Sequence, residues 1–136
     1  MPNTPNINLD ILLGGGPVNE GWVNVLASDN TTTYGYKYTG GDDGVGGLIQ
    51  TAGPGQSRDT APLQLVANRR YEIAAVGFTG DTNSQLSWNG QGKYAGSIVD
   101  ENSAVETAEY RVVVRDTANG NCTINCDPTV KNQPPA

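Results

Sequence analysis

Histidine is absent from this chain of 136 residues, and with it the side chain most often used as general base, proton shuttle and metal ligand near neutral pH. No Ser-His or Cys-His pair can form. The two cysteines, Cys122 and Cys126, are spaced CxxxC and not CxxC, and without histidine partners they are too few for a zinc site. In a fully extended strand their Cα atoms would stand about 13 Å apart, against the roughly 4.4–6.8 Å of a disulfide, so a bond between them demands a tight turn. Three states stay open: a link within the chain, buried free thiols, or links between chains. Asp42, Asp43 and Asp81 lie among glycines, where carboxylates and carbonyls can gather around calcium, but the EF-hand spacing is missing and solvated turn acids are the expectation. The 14 acidic residues name no pair at the separation glycoside hydrolysis requires. The expectation is a protein that is not an enzyme and that holds no metal and no cofactor.

Two groups of residues have the chemistry of binding. Trp88, flanked by Asn83, Gln85, Asn89 and Gln91, combines an apolar plate with amide groups, the ingredients of sugar recognition. In the competing reading Trp88 fills the core between two sheets and the amides serve turns. Tyr34, Tyr36 and Tyr38 recur at period two and fall on one face of a strand, where they form either a docking surface or packing against a neighbouring strand.

Charge narrows the partners. The net charge is −6, and the basic residues are scattered apart from Arg69 and Arg70, whereas phosphate recognition needs a clustered positive footprint. Nucleic acid and anionic membranes are not expected partners. No apolar run approaches the ~18 residues of a membrane span, and residues 1–10, MPNTPNINLD, lack the basic and apolar regions of a secretory signal. A cytoplasmic protein is the default expectation.

These residues must be carried by strands. Residues 6–13, NINLDILL, place Ile7, Leu9, Ile11 and Leu13 on one face and Asn6, Asn8 and Asp10 on the other, a half-buried strand that glycines 14–16 break. Residues 21–27 and 31–39 alternate in the same way, and residues 71–78, YEIAAVGF, are small and apolar enough to predict a central strand buried on both faces. Glycines crowd residues 40–47, predicting a mobile loop. NGQG at 89–92 and the Asn119-Gly120 step are hairpin signals. Tyr110, Val112 and Val114 alternate with Arg111, Val113 and Arg115 in a core strand. No window sustains the apolar period of a helix, and about eight or nine strand-length runs recur between turns. The expectation is all-β, an immunoglobulin-like two-sheet β-sandwich, with residues 1–136 forming a single domain.

Residues 106–112, ETAEYRV, have the form of the tyrosine corner that precedes the penultimate strand of such sandwiches, so Tyr110 is expected to be structural. Where antibody domains carry a cysteine on that strand, this chain has Val112, which excludes their inter-sheet disulfide. Residues 122–132, CTINCDPTVKN, resemble the end of a bacterial family known as DP-EP, itself similar to the AidA and PixA inclusion-body proteins; the likeness runs more loosely over residues 78–132. The resemblance implies a β-sandwich without established catalytic activity, and it carries no binding residue onto this chain.

Pro128 supplies no ladder donor and pushes Asp127 toward extended geometry, so the last strand should be interrupted there and lie at an edge. The function expected is association, with copies of itself or with another protein, through a seam near residues 122–132. Residues 6–13 are the strand expected to pair there, preferably within their own chain. The competing expectation is a carbohydrate- or small-ligand-binding module centred on Trp88.

Overall fold

The computed structural model describes residues 6–41, 59–80, 86–101 and 109–126. They form β1 (Ile7–Leu13), β2 (Val23–Leu26), β3 (Thr33–Gly40), β4 (Asp59–Leu65), β5 (Tyr71–Thr79), β6 (Leu86–Gly90), β7 (Ala95–Asp100), β8 (Glu109–Asp116) and β9 (Cys122–Cys126), with one turn of 3-10 helix at Val18–Glu20. The chain is an all-β two-sheet sandwich. A six-stranded sheet in the order β2-β3-β1-β4-β7-β6 faces a three-stranded sheet, β5-β8-β9.

Alternation along each strand decides which side chains meet between the sheets. Ile7, Leu9 and Ile11 of β1 turn inward beside Tyr34, Tyr36 and Tyr38 of β3 and Leu63 and Leu65 of β4; Val112, Val114 and Ile124 approach from the smaller sheet. Each such aliphatic side chain contributes about 1.5–3 kcal/mol by leaving water. β1 lies inside its sheet, antiparallel to β3 along its full length and parallel to β4 over Ile7–Leu9. Residues 6–13 thus pair within the chain as expected, but with β3 and β4 and not at the C-terminal strand.

Two further expectations are corrected. β5 is an edge strand, not the central one, and β8 holds the middle of the smaller sheet. The pairing of β5 with β8 slips between Ile73 and Ala75; such a bulge breaks the alternation and turns Ala74 and Ala75 to solvent. At the β8–β9 hairpin the positive φ angles fall on Gly120 and Asn121 and not on Asn119, because the loop closes through Asn119 and Asn121 amides donating to the Asp116 carbonyl. Of the three states left open for the cysteines, the structure shows buried thiols: Cys122 and Cys126 form no disulfide, since both point inward from one extended strand. The glycine-rich stretch after Gly41, the three aspartates, Asn83, Gln85, Asp127 and Pro128 lie outside the described residues.

One glycine is required by layering. Gly35 sits on the outer face of β3, and a Cβ there would stand 2.9 Å from the backbone nitrogen of Gly16. The glycine segment after β1 folds over this gap, and Asn24 of β2 pins it: its Oδ1 accepts from the Gly16 N–H at 2.8 Å and its Nδ2 donates to the Gly16 carbonyl at 3.1 Å.

Candidate functional site

Among the described residues the densest cluster of polar chemistry is buried at one end of the sandwich, around Asp116. This last residue of β8 has no solvent exposure. Its Oδ1 accepts from Arg70 Nε at 2.7 Å and from the Ala118 N–H at 3.0 Å, while Oδ2 accepts from Arg70 Nη2 at 2.7 Å and from the Tyr34 hydroxyl at 2.6 Å. Tyr34 belongs to the larger sheet and Asp116 to the smaller, with Arg70 entering from the turn before β5. Thr117 completes the junction by donating through both N–H and Oγ1 to the Arg70 carbonyl. Asn119 Nδ2, freed to point inward by the shifted turn, donates to Thr32 Oγ1 and to the Tyr34 hydroxyl, each at 3.1 Å.

The electrostatics follow from these contacts. Burial alone would raise the Asp116 pKa, but the Arg70 guanidinium, the Tyr34 hydroxyl and the Ala118 amide together hold the carboxyl below its ordinary value. Burial, reinforced by the neighbouring carboxylate, pushes Tyr34 up and keeps it protonated. The bond to Asp116 also raises Arg70.

What this arrangement can do is limited by its completeness. A carboxylate has about four acceptor positions, and all four on Asp116 are filled, which leaves none to take a proton from a substrate. The Cys122 thiol lies 3.4 Å from the Tyr34 hydroxyl and 3.5 Å from Asn119 Nδ2. Neither neighbour accepts a proton near neutral pH, so no base activates it. The cluster is a fastening between sheets, formed of Tyr34, Arg70, Asp116, Asn119 and Cys122.

The tyrosine face, expected to be either a docking surface or packing, is turned inward. Tyr34, Tyr36 and Tyr38 are all buried; Tyr38 donates to the Cys126 carbonyl of β9, and its ring meets Tyr110 edge to face at 5.7 Å. Tyr110 is buried with them. Period two correctly placed the three on one face; what it could not supply was which face the second sheet would cover.

Trp88 packs half-buried against the core. Its indole fills the space over Gly96, where a Cβ would stand 2.3 Å from Cζ2, so one face of the ring is already occupied. Asn89 is exposed on the opposite side of β6, and alternation therefore separates it from the indole that was to be its partner. Among the described residues no group of three or more Cys, Asp or Glu side chains is placed to hold a metal. No family model and no curated protein matches the sequence.

The buried cluster was missed from the sequence because its members lie up to 88 residues apart. One signal was available. Asp116 continues the inward period of Tyr110, Val112 and Val114, and an acid at an inward position requires a cationic partner.

Proposed function

We propose that this protein acts without catalysis, through association with copies of itself or with another protein. The observation that carries the proposal is the β2 edge of the larger sheet. β2 is a four-residue strand whose Leu26 is exposed by 56%, and Val18, in the turn that precedes it, is exposed by 74%. An edge with unpaired backbone groups beside apolar side chains is a surface that another chain can cover. The seam expected near residues 122–132 finds less support, because β9 is tied at its outer side to the β2–β3 turn: Ser28 N–H donates to the Thr123 carbonyl, and Thr123 N–H to Ser28 Oγ.

We infer further that the sandwich is immunoglobulin-like. Strands β4-β7-β6 facing β5-β8-β9 follow the chain order of strands B-E-D facing C-F-G, with β2 and β3 added beyond β1. A relationship to the DP-EP proteins belongs to the same proposal and rests on residues 122–132. Sedimentation from micromolar to near-millimolar protein tests the association. The natural chain should exceed 14.3 kDa, and Leu26→Lys should return it to a folded monomer. A natural chain that stays monomeric at every concentration and captures no partner removes the proposal.

A further inference from the structure

The outer face of the six-stranded sheet carries a groove over β4 and β7. Register builds it: Asn8 of β1 lies beside Gln64 of β4, and Gln64 lies opposite Ala95 of β7. Gln91, in the β6–β7 turn, donates its backbone N–H to the Ala95 carbonyl. Ala95 ends at Cβ, so the row drops to a floor between two glutamine walls. Two residues along, Ser97 faces Pro62, and the cavity between these side chains measures about 660 Å³. A second recess of about 420 Å³ shares Gln64 and Ala95 and ends on Tyr94 and Arg69, the guanidinium lying 4.3 Å from the ring centroid.

The polar groups in this groove are unspent. Among the described residues the side chains of Asn8, Gln64, Gln91 and Ser97 make no hydrogen bond, and Arg69 makes no ion pair. Each primary amide offers an acceptor and two donors in one plane, which matches neighbouring hydroxyls on a sugar ring. A guanidinium already stacked on an aromatic ring presents its remaining N–H groups as a fork for a carboxylate.

From these observations we infer that the groove binds a short oligosaccharide along Asn8, Gln64 and Gln91, with a carboxylate-bearing sugar at the Arg69 end. An extended peptide fits less well. Peptides join sheets through edge hydrogen bonds and apolar side-chain pockets, whereas this groove lies on a face whose ladder bonds are made, and its walls are amides. The site is separate from Trp88 and from the β2 edge, so it stands whether or not the chain associates.

Titration of the full chain, followed by ¹⁵N-resolved NMR, tests the site with galacturonate, mannuronate and glucuronate trimers and with neutral galactose and glucose trimers. An acidic trimer should shift the side-chain NH₂ signals of Asn8, Gln64 and Gln91 and bind about tenfold more tightly than its neutral counterpart. Arg69→Ala should erase that preference while neutral binding persists, and Gln64→Ala should weaken both by about tenfold. The variants' unchanged backbone spectra confirm that they are folded. No shift with any trimer at 10-fold millimolar excess overturns the inference, as does a response that leaves these NH₂ signals in place. Tighter binding of an acidic peptide to the same residues also overturns it.

Discussion

The junction at Asp116 and the groove at Gln64 both gather polar side chains, but they use them oppositely. Around Asp116 every acceptor is filled and solvent is excluded. Around Gln64 the amides reach solvent, Gln64 and Gln91 exposed and Asn8 half-buried, and make no internal bond among the described residues. Polar chemistry that is fully satisfied stabilises a fold and specifies its geometry; polar chemistry left open is available to something else. The contrast predicts that substitutions at the first site act on stability, and those at the second act on contact with a ligand.

The largest effect is expected at the junction itself. Asp116→Ala removes the common partner of Arg70 and Tyr34, and breaking a buried pair in this way costs about 3–5 kcal/mol, a large share of the roughly 5–15 kcal/mol that holds a domain folded. Denaturant unfolding measures it. A loss below about 1 kcal/mol would mean that the junction behaves as a surface ion pair, and the contrast with the groove would collapse.

Next comes Gly96→Ala. The added methyl meets the Trp88 ring at a distance no packed atoms tolerate, and overpacking of this kind costs about 1–3 kcal/mol. If the indole is displaced into water, its fluorescence should shift to the red; an unchanged spectrum and stability would show that Trp88 is not seated on Gly96.

Acid probes the junction without a mutation. Because Asp116 in the folded protein titrates below its ordinary value, the unfolded chain binds its proton first. Its stabilising contribution is whole above the unfolded pKa of about 3.9 and fades as pH falls through the folded value. Asp29 adds to the trend in the same window, held at about 2 by hydrogen bonds from the Thr32 hydroxyl, the Thr32 N–H and the Thr31 N–H. Stability measured from pH 6 to pH 2 should therefore drop below about pH 4, and Asp116→Asn should flatten that drop. An identical acid profile in the variant would remove Asp116 as its cause.

Much of this architecture is legible in the residues. Alternation in β1 and β8 marks the side turned inward, alternation in β3 groups its tyrosines on one face without saying which way that face turns, and the NGQG run marks the β6–β7 hairpin. Composition misleads at β5, where small apolar residues describe a bulged edge strand as well as a buried one. The junction is illegible because it depends on which loop meets which strand end: Arg70 follows Arg69 in sequence, yet one closes the core and the other stacks on Tyr94 at the surface. The groove is equally hidden. Asn8 meets Gln64 only through a parallel pairing of β1 with β4, and Gln91 reaches them only through the pairing of β4 with β7, neither of which a local pattern announces.

The smallest effects sharpen the comparison within one face of one sheet. Asn24 and Gln64 are both exposed amides on the outer side of the six-stranded sheet, but Asn24 has spent its oxygen and nitrogen on Gly16. Asn24→Ala should therefore cost about 1 kcal/mol or somewhat more, the net worth of a hydrogen bond pair open to water. Gln64→Ala should stay within about 0.5 kcal/mol, as surface substitutions without a structural partner do. Thermal and denaturant unfolding of the two variants, measured side by side, decides the matter. If Gln64→Ala is as destabilising as Asn24→Ala, the Gln64 amide is engaged inside the molecule, and a groove walled by spent amides has no reason to attract a sugar. If it is neutral, the side chain is kept in register beside Asn8 and opposite Ala95 at no benefit to folding, which is the condition a binding residue must meet.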